Sequence, residues 1–501
     1  MDQLDEKWRD LIKAYAGSLA TRRDFLKRCG MVGLAYGLAG TVPGLWTGGC
    51  GSEIETPRDL PESFTSYETT PTAAHRVLAE RHSSVLLLGP PESQDLLALV
   101  THLYTRQSAE LAAQFQNKIY ATLSELVRVT GKSPDEIRQI LRPVVSERHV
   151  VLEFDKIFGG MAGYTWVDDL RRIVLDWYGL LRLVAQPVLG IRLPENPEEI
   201  FDSTTYFLSP IIPPMFEANF MSGLLSPWHE RYATLFGRIF ESGYLRSYIR
   251  DHGELTLLRT LPVQESLEGQ LEIVDADRLS DLLDQVGDVV LLACQCATAK
   301  HLRGEPCKMK SKHPGNRPCI IAGPVAKTLI ELGWAEPASK EEVLRIRAAT
   351  ADEGAIHITF NVASKDCFYV CACCSCCCQL LQMIRDFQCP NLMAPPPLLP
   401  QLSVQNCVFC RACQKVCQTE AHVFSDGLHT LDVSRCVGCG QCLRACSKRN
   451  APEAERPLSW KENRAFRPPL GMNLFLPQIA ARLSGILARV RESRGDTSFI
   501  K

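Results

Sequence analysis

Apolar positions recur at helical spacing through Ala74 to His82, Ser93 to Thr101 and Ser108 to Thr122, each stretch with a Ser or Thr near its start. The pattern predicts a mainly helical domain over residues 73–255. From Ala121 to Leu141 the period breaks at Gly131 and resumes with Ser133 as a cap and Pro134 at the first helical position. This helix-turn-helix outline reads as a packing module rather than a DNA reader. Residues 154–250 are rich in aromatics and prolines, among them Trp166, Trp177, Tyr178, Trp228, Tyr232 and Phe236. Within them, Ile211 to Leu225 reads as core, with a membrane-facing or partner-facing surface as the alternative, and it is too short to span a bilayer. Further on, Val289 to Ala293 predicts a buried strand, Ala421 to Asp432 a short hairpin turning at Asp426 and Gly427, and Leu470 to Ser493 an amphipathic tail.

Cysteine changes this picture. The 501 residues contain 22 cysteines, 20 of them after residue 293 and none between Gly51 and Leu292. Clustering of that kind suggests metal rather than a spread of disulfides. The formal charge of −2 carries no basic excess, so no nucleic-acid partner is expected. No G-x-G-x-x-G turn, Walker loop or nucleophile–base pair is present, so neither nucleotide nor flavin is expected.

Eight of the cysteines form two copies of C-x-x-C-x-x-C-x-x-x-C: Cys407, Cys410, Cys413 and Cys417, then Cys436, Cys439, Cys442 and Cys446. Residues 402–452 therefore resemble a bacterial-type ferredoxin with two [4Fe-4S] clusters. The resemblance implies that Cys407, Cys410, Cys413 and Cys446 hold one cluster, and that Cys436, Cys439, Cys442 and Cys417 hold the other. A pair of zinc sites is the alternative. The proline that usually follows each fourth cysteine is replaced by Gln418 and Ser447.

Of the twelve cysteines between residue 293 and the first run, ten are candidate ligands of a further centre: Cys294, Cys296, Cys307, Cys319, Cys371, Cys373, Cys374, Cys376, Cys377 and Cys378. Neighbouring side chains diverge on either a helix or a strand, so the dense run from Cys371 to Cys378 cannot be six equivalent core thiols. Together with Glu353 to His357, these residues resemble a poorly characterised group of anaerobic iron-sulfur proteins. The likeness covers residues 261–450 well and implies an architecture but no substrate. Three readings stay open for this middle site: a third iron-sulfur centre, a structural zinc or disulfide staple, or a substrate-reducing thiol centre. His301, His313 and His357 are candidate additional ligands, although a lone histidine is more often a packing residue.

At the N-terminus, Arg22 and Arg23 precede an uncharged stretch from Gly30 to Gly49, which resembles a twin-arginine export signal. Cys50 is a candidate lipid anchor, against ordinary cleavage or retention. The expected organisation is α+β: a signal segment 1–50, a linker 51–72, the helical domain 73–255, a cysteine-rich α/β domain 256–395, a two-[4Fe-4S] ferredoxin-like domain 396–455 and a tail 456–501. The expected function is electron transfer outside the cytoplasm, in the periplasm or on the outer face of the cytoplasmic membrane, serving a redox partner protein or a membrane oxidoreductase. A reductase acting on a small substrate between Cys294 and Cys378 is the competing reading, and a scaffold with structural clusters is a third.

Overall fold

Side-chain caps start the helices of the N-terminal half. Helices α1 (Ala73–His82), α2 (Gln94–Leu103), α3 (Arg106–Ala112), α4 (Leu123–Thr130) and α5 (Pro134–Arg142) are preceded by Thr72, Ser93, Thr105, Thr122 and Ser133. Each of these hydroxyls accepts from the backbone N–H three residues on, satisfying one of the orphan donors of the first turn. Glu125 and Glu136 return the bond, closing capping boxes at 2.9 and 2.8 Å. Gly131, at φ 68°, ends α4 in the left-handed conformation that a side chain would oppose. The computed structural model describes residues 64–115, 119–153, 204–263, 266–267, 278–331 and 334–495. Expectations resting on Arg22, Arg23, Cys50, Trp166, Trp177 and Tyr178 lie outside those residues.

The helix expected over Ser108 to Thr122 is shorter. It ends at Ala112, and Tyr120–Thr122 form a strand, β1, with Thr122 already capping α4. Tertiary pairing overrides the local period here. Strands β1, β2 (Val151–Glu153) and β3 (Thr205–Leu208) make a small antiparallel sheet in the order β1-β3-β2, with Tyr120 stacked on Phe207 at 5.2 Å. Helices α6 (Phe216–Phe220) and α7 (Pro227–Glu241) bring Phe216, Phe220, Trp228 and Tyr232 into full burial. Most of the apolar stretch from Ile211 is thus core, while Leu225 at its end is exposed.

The cysteine-rich segment centres on a six-stranded sheet. Its strands are β4 (Leu258–Leu261), β5 (Val289–Leu292), β6 (Cys319–Ala322), β7 (Glu336–Pro337), β8 (Ile356–Phe360) and β9 (Tyr369–Cys373), in the order β4-β8-β9-β6-β5-β7. Every pairing is antiparallel. This corrects the expected α/β character of the segment. A strand followed by a helix suggests a parallel crossover, but the chain after α9 (Gln295–Leu302) returns against β5 and pairs antiparallel beside it. Helices α8 (Leu279–Gln285), α10 (Pro324–Glu331) and α11 (Lys340–Asp352) complete this segment, and α12 (Gln379–Arg385) follows β9.

Beyond it, β10 (Leu398–Leu402) pairs antiparallel with β13 (Leu458–Glu462), enclosing the two cysteine runs. Between the runs, β11 (His422–Ser425) and β12 (Leu428–Leu431) form a hairpin turning at Asp426 (φ 50°) and Gly427 (φ 74°). Two left-handed central residues match the right-handed twist of the flanking strands. The C-terminal stretch is a docked helix, α15 (Met472–Ser493). Met472, Phe475, Ile479, Leu483, Ile486 and Val490 are buried at three- and four-residue spacing and join the same apolar cluster as Leu78, Trp228 and Ile356. Among the described residues no helix is long and apolar enough to cross a membrane.

Candidate metal centres

The ten middle cysteines divide into two groups, and strand alternation does the dividing. Cys371 and Cys373 lie two apart on β9 and so share one face, while Cys374, Cys376 and Cys377 lie in the turn beyond the strand. Cys307 comes to that turn from the loop after α9. Its Sγ is 3.6 Å from that of Cys374 and 3.7 Å from that of Cys376, while Cys376 is 3.4 Å from Cys374 and 3.6 Å from Cys377. All four sulfurs lie within 4.8 Å of one another. Four thiolates at about 2.3 Å from a single tetrahedral ion would sit about 3.8 Å apart, so this quartet has the spacing of a mononuclear site. The neighbouring thiols and Lys312 hold Cys374 far below the ordinary thiol range, and Cys307 above all holds Cys376 down at about 6.

The other six make a chain of adjacent thiols: Cys294 beside Cys319, Cys319 beside Cys371, Cys371 beside Cys373, Cys373 beside Cys378, and Cys378 beside Cys296. They come from the end of β5, the start of β6, the end of β9 and the first turns of α9 and α12. All six line one wall of a cavity of about 200 Å³. The 20 cysteines of the described residues are all free thiols, so no disulfide staple is formed there.

Two buried cations serve these sulfurs. Lys312 is 2% exposed, and its Nζ donates to Cys374 Sγ at 3.0 Å while feeling the charges of Cys294, Cys373 and Cys378. Arg347, also 2% exposed, donates to the Val370 carbonyl, and its Nε and Nη1 have no hydrogen-bond partner. Neither forms an ion pair with a carboxylate among the described residues. A buried cation needs a counter-charge, which a metal-thiolate centre would supply. The donor set therefore fits a metal.

The eight downstream cysteines are arranged differently. No two of them come within hydrogen-bonding distance of each other among the described residues. The third and fifth residues of both runs are left-handed: Phe409 (φ 55°) and Arg411 (φ 59°), then Gly438 (φ 68°) and Gly440 (φ 79°). Each run continues into a one-turn helix, α13 (Ala412–Val416) or α14 (Gln441–Ala445), and reaches its fourth cysteine in extended backbone. The two runs thus share one backbone path. Cys446 is influenced by Cys410 and Cys407 of the first run, whereas Cys417 is the first-run thiol that acts on Cys436, Cys439 and Cys442, the last also feeling Cys413. Burial pushes the Cys413 thiol up to about 12 and that of Cys436 to about 11, so both would ionise only with a metal or another cation at hand.

Exposure separates the runs. Cys410 is exposed, with Val408 and Phe409 beside it at 53% and 42%. A Cβ on Gly438 would press on Pro396 and lie 2.8 Å from the Leu398 carbonyl oxygen, and one on Gly440 would press on Ser266. Glycine in the second run is thus required by close packing, which the open first run does not impose. The two departures from proline also find uses. Gln418 accepts from the Ser375 N–H at 2.8 Å and donates to the Gly354 carbonyl at 3.0 Å, tying the end of the first run to the loop that carries the thiol quartet. The Ser447 hydroxyl lies 3.6 Å from Cys410 Sγ.

Several residues escaped the sequence reading. His429 places Nδ1 3.4 Å from Cys407 Sγ and Nε2 3.8 Å from Cys413 Sγ, with His422 Nδ1 3.0 Å from that Nε2. Cys413, His422 and His429 form a second group that could hold a metal ion. A two-residue turn at Asp426 and Gly427 fixes the hairpin register, so the pairing of His429 with Phe424 could have been counted from sequence. Lys312 and Arg347 left no such signal. Of the three candidate histidines, His313 meets the Cys307 carbonyl at 2.9 Å, His357 meets Thr350 at 3.3 Å, and His301 is exposed. No protein-family model, curated protein or solved structure matches the chain, so its own geometry has to carry any functional reading.

Proposed function

We propose that this chain is an iron-sulfur electron-transfer protein acting as a relay in a redox system outside the cytoplasm. In this reading Cys407, Cys410, Cys413 and Cys446 hold one [4Fe-4S] cluster, and Cys436, Cys439, Cys442 and Cys417 hold the second. The carrying observation is the cross-arrangement of fourth thiols, with Cys417 set against the second run and Cys446 against the first. Separation of the eight sulfurs also supports it, since each iron of a cubane takes its own thiolate at an outer corner. Bound clusters supply one-electron transfer at potentials set by hydrogen bonding and exposure. The exposed first run, flanked by Val408, Phe409, Leu428 and Val433, is the face on which a redox partner would dock; the second run is buried toward the cysteine-rich segment. The touching quartet Cys307, Cys374, Cys376 and Cys377 holds a single zinc or iron ion, and the six-thiol wall is the place of a further iron-sulfur centre.

Cys417→Ser tests the cross-arrangement. EPR of the anaerobically purified variant should show the cluster of Cys436, Cys439 and Cys442 altered or converted to a three-iron form, with the Cys407 cluster intact. Loss of the Cys407 cluster instead would contradict it. Export through Arg22 and Arg23 is tested by changing both to Lys, which keeps charge but removes the planar guanidinium forks. The variant should stay in the cytoplasm, and unchanged export would end that part of the reading. A second reading, a reductase acting on a small substrate, is favoured by one observation: the cavity lined by the six thiols is lined by many apolar side chains as well.

A further inference from the structure

The six-thiol cavity is also lined by Ile212, Met221, Leu245, Ile249, Leu257 and Leu483. Among these side chains stands one carboxyl group. Glu217, on α6, lines the cavity, and its Oε2 is buried with no hydrogen-bond partner. The phenols of Tyr232, Tyr244 and Tyr369 all feel its charge, yet the Tyr232 and Tyr244 hydroxyls are likewise buried without a partner. A carboxyl oxygen left without a partner in apolar surroundings is costly, and such groups gather where a ligand is to be engaged. Burial raises its pKa to about 7, so near neutrality a large share of Glu217 carries its proton and can donate. Lys312, the cation at this wall, is already committed to Cys374.

We propose that this cavity binds a small uncharged molecule bearing one hydrogen-bond acceptor, and that Glu217 is the donor that holds it by that acceptor. An uncharged ligand follows from the lining: with Lys312 engaged by sulfur, nothing on the apolar side would compensate a buried charge. Size follows from the volume, since an apolar cavity of about 150 Å³ already accepts benzene. The proposal deepens the second reading and rests on it only for what the thiol wall holds.

Cyclopentanone, with one carbonyl acceptor on an apolar ring, serves as the probe. Infrared difference spectra of the full-length, metal-loaded protein titrated with carbonyl-labelled cyclopentanone should show saturable binding, with the ketone band moved to lower frequency by an accepted hydrogen bond. Glu217→Gln keeps a donor and should keep the shift. Glu217→Met removes it and should weaken binding about tenfold. A wild-type protein that binds no probe, or a shift that survives in Glu217→Met, would overturn the proposal. Metal content is measured on each sample: probe binding without metal would defeat the second reading alone, and metal without probe binding would defeat this proposal alone.

Discussion

Two groups of cysteines in this chain hold nearly the same number of sulfurs per site and place them in opposite ways. The quartet around Cys374 has thiols touching at 3.4 to 3.7 Å, with a buried ammonium against them, whereas the eight thiols of residues 407–446 keep out of each other's reach. Donor spacing therefore separates the sites where donor count does not. The quartet fits around one ion, and the octet leaves room for something larger between its sulfurs. The backbone explains the difference. Consecutive cysteines in a turn after a strand crowd together, while cysteines separated by left-handed residues are spread along a loop.

Removing a thiol from the crowded site should have the largest effect on stability. Cys374→Ser leaves the Lys312 ammonium buried beside a poor counter-charge and should destabilise the protein by about 3–5 kcal/mol. Urea denaturation under anaerobic conditions measures it; a loss below about 1 kcal/mol would mean that Lys312 does not depend on that thiolate.

The spread-out site is broken through its backbone. Gly438→Ala should cost about 2–4 kcal/mol, because the residue is left-handed and a Cβ would meet Pro396 and the Leu398 carbonyl. At the matching position of the first run, Phe409→Gly should lie within about 1 kcal/mol of wild type, since the left-handed residue there is already exposed. Equal effects in the two runs would mean that packing does not distinguish them.

Protonation gives a smaller effect than the loss of Cys374, and it falls outside both metal sites. His102 Nε2 donates to the Trp228 carbonyl at 3.0 Å, and burial lowers its pKa to about 3. A lowered pKa on a base means the folded state prefers the neutral ring. Its stabilising contribution is complete above about 6.5 and is lost as the pH falls from there toward 3. The stability advantage of wild type over His102→Gln should therefore shrink by about 1.6 kcal/mol between pH 6.5 and 5, the slope approaching about 1.4 kcal/mol per unit at the lower end. A pH-independent difference would show the ring to be charged already or exposed.

The hairpin between the two cysteine runs and the helix starts at Ser93 and Ser133 were legible in the chain, because the turn at Asp426 and Gly427 and a capping hydroxyl are local features. Division of the middle cysteines was not. It depends on β9 ending at Cys373, one residue before the thiols that turn away, and on Cys307 arriving from 67 residues upstream of Cys374. The helix expected through Thr122 failed for a related reason, since pairing with β3 lies more than 80 positions away in sequence. Lys312, Arg347 and Glu217 gain their meaning only from what surrounds them in the fold.

The division between touching and spaced thiols is tested most directly by metal and acid-labile sulfide analysis of the anaerobically purified full chain beside Cys374→Ser. Wild type should contain at least about eight irons with matching sulfide. The variant should lose one metal ion and no sulfide, with X-ray absorption assigning the lost ion a shell of four sulfurs at about 2.3 Å in wild type. Loss of about four irons together with about four sulfides would contradict the account, because the crowded quartet would then be part of a cluster.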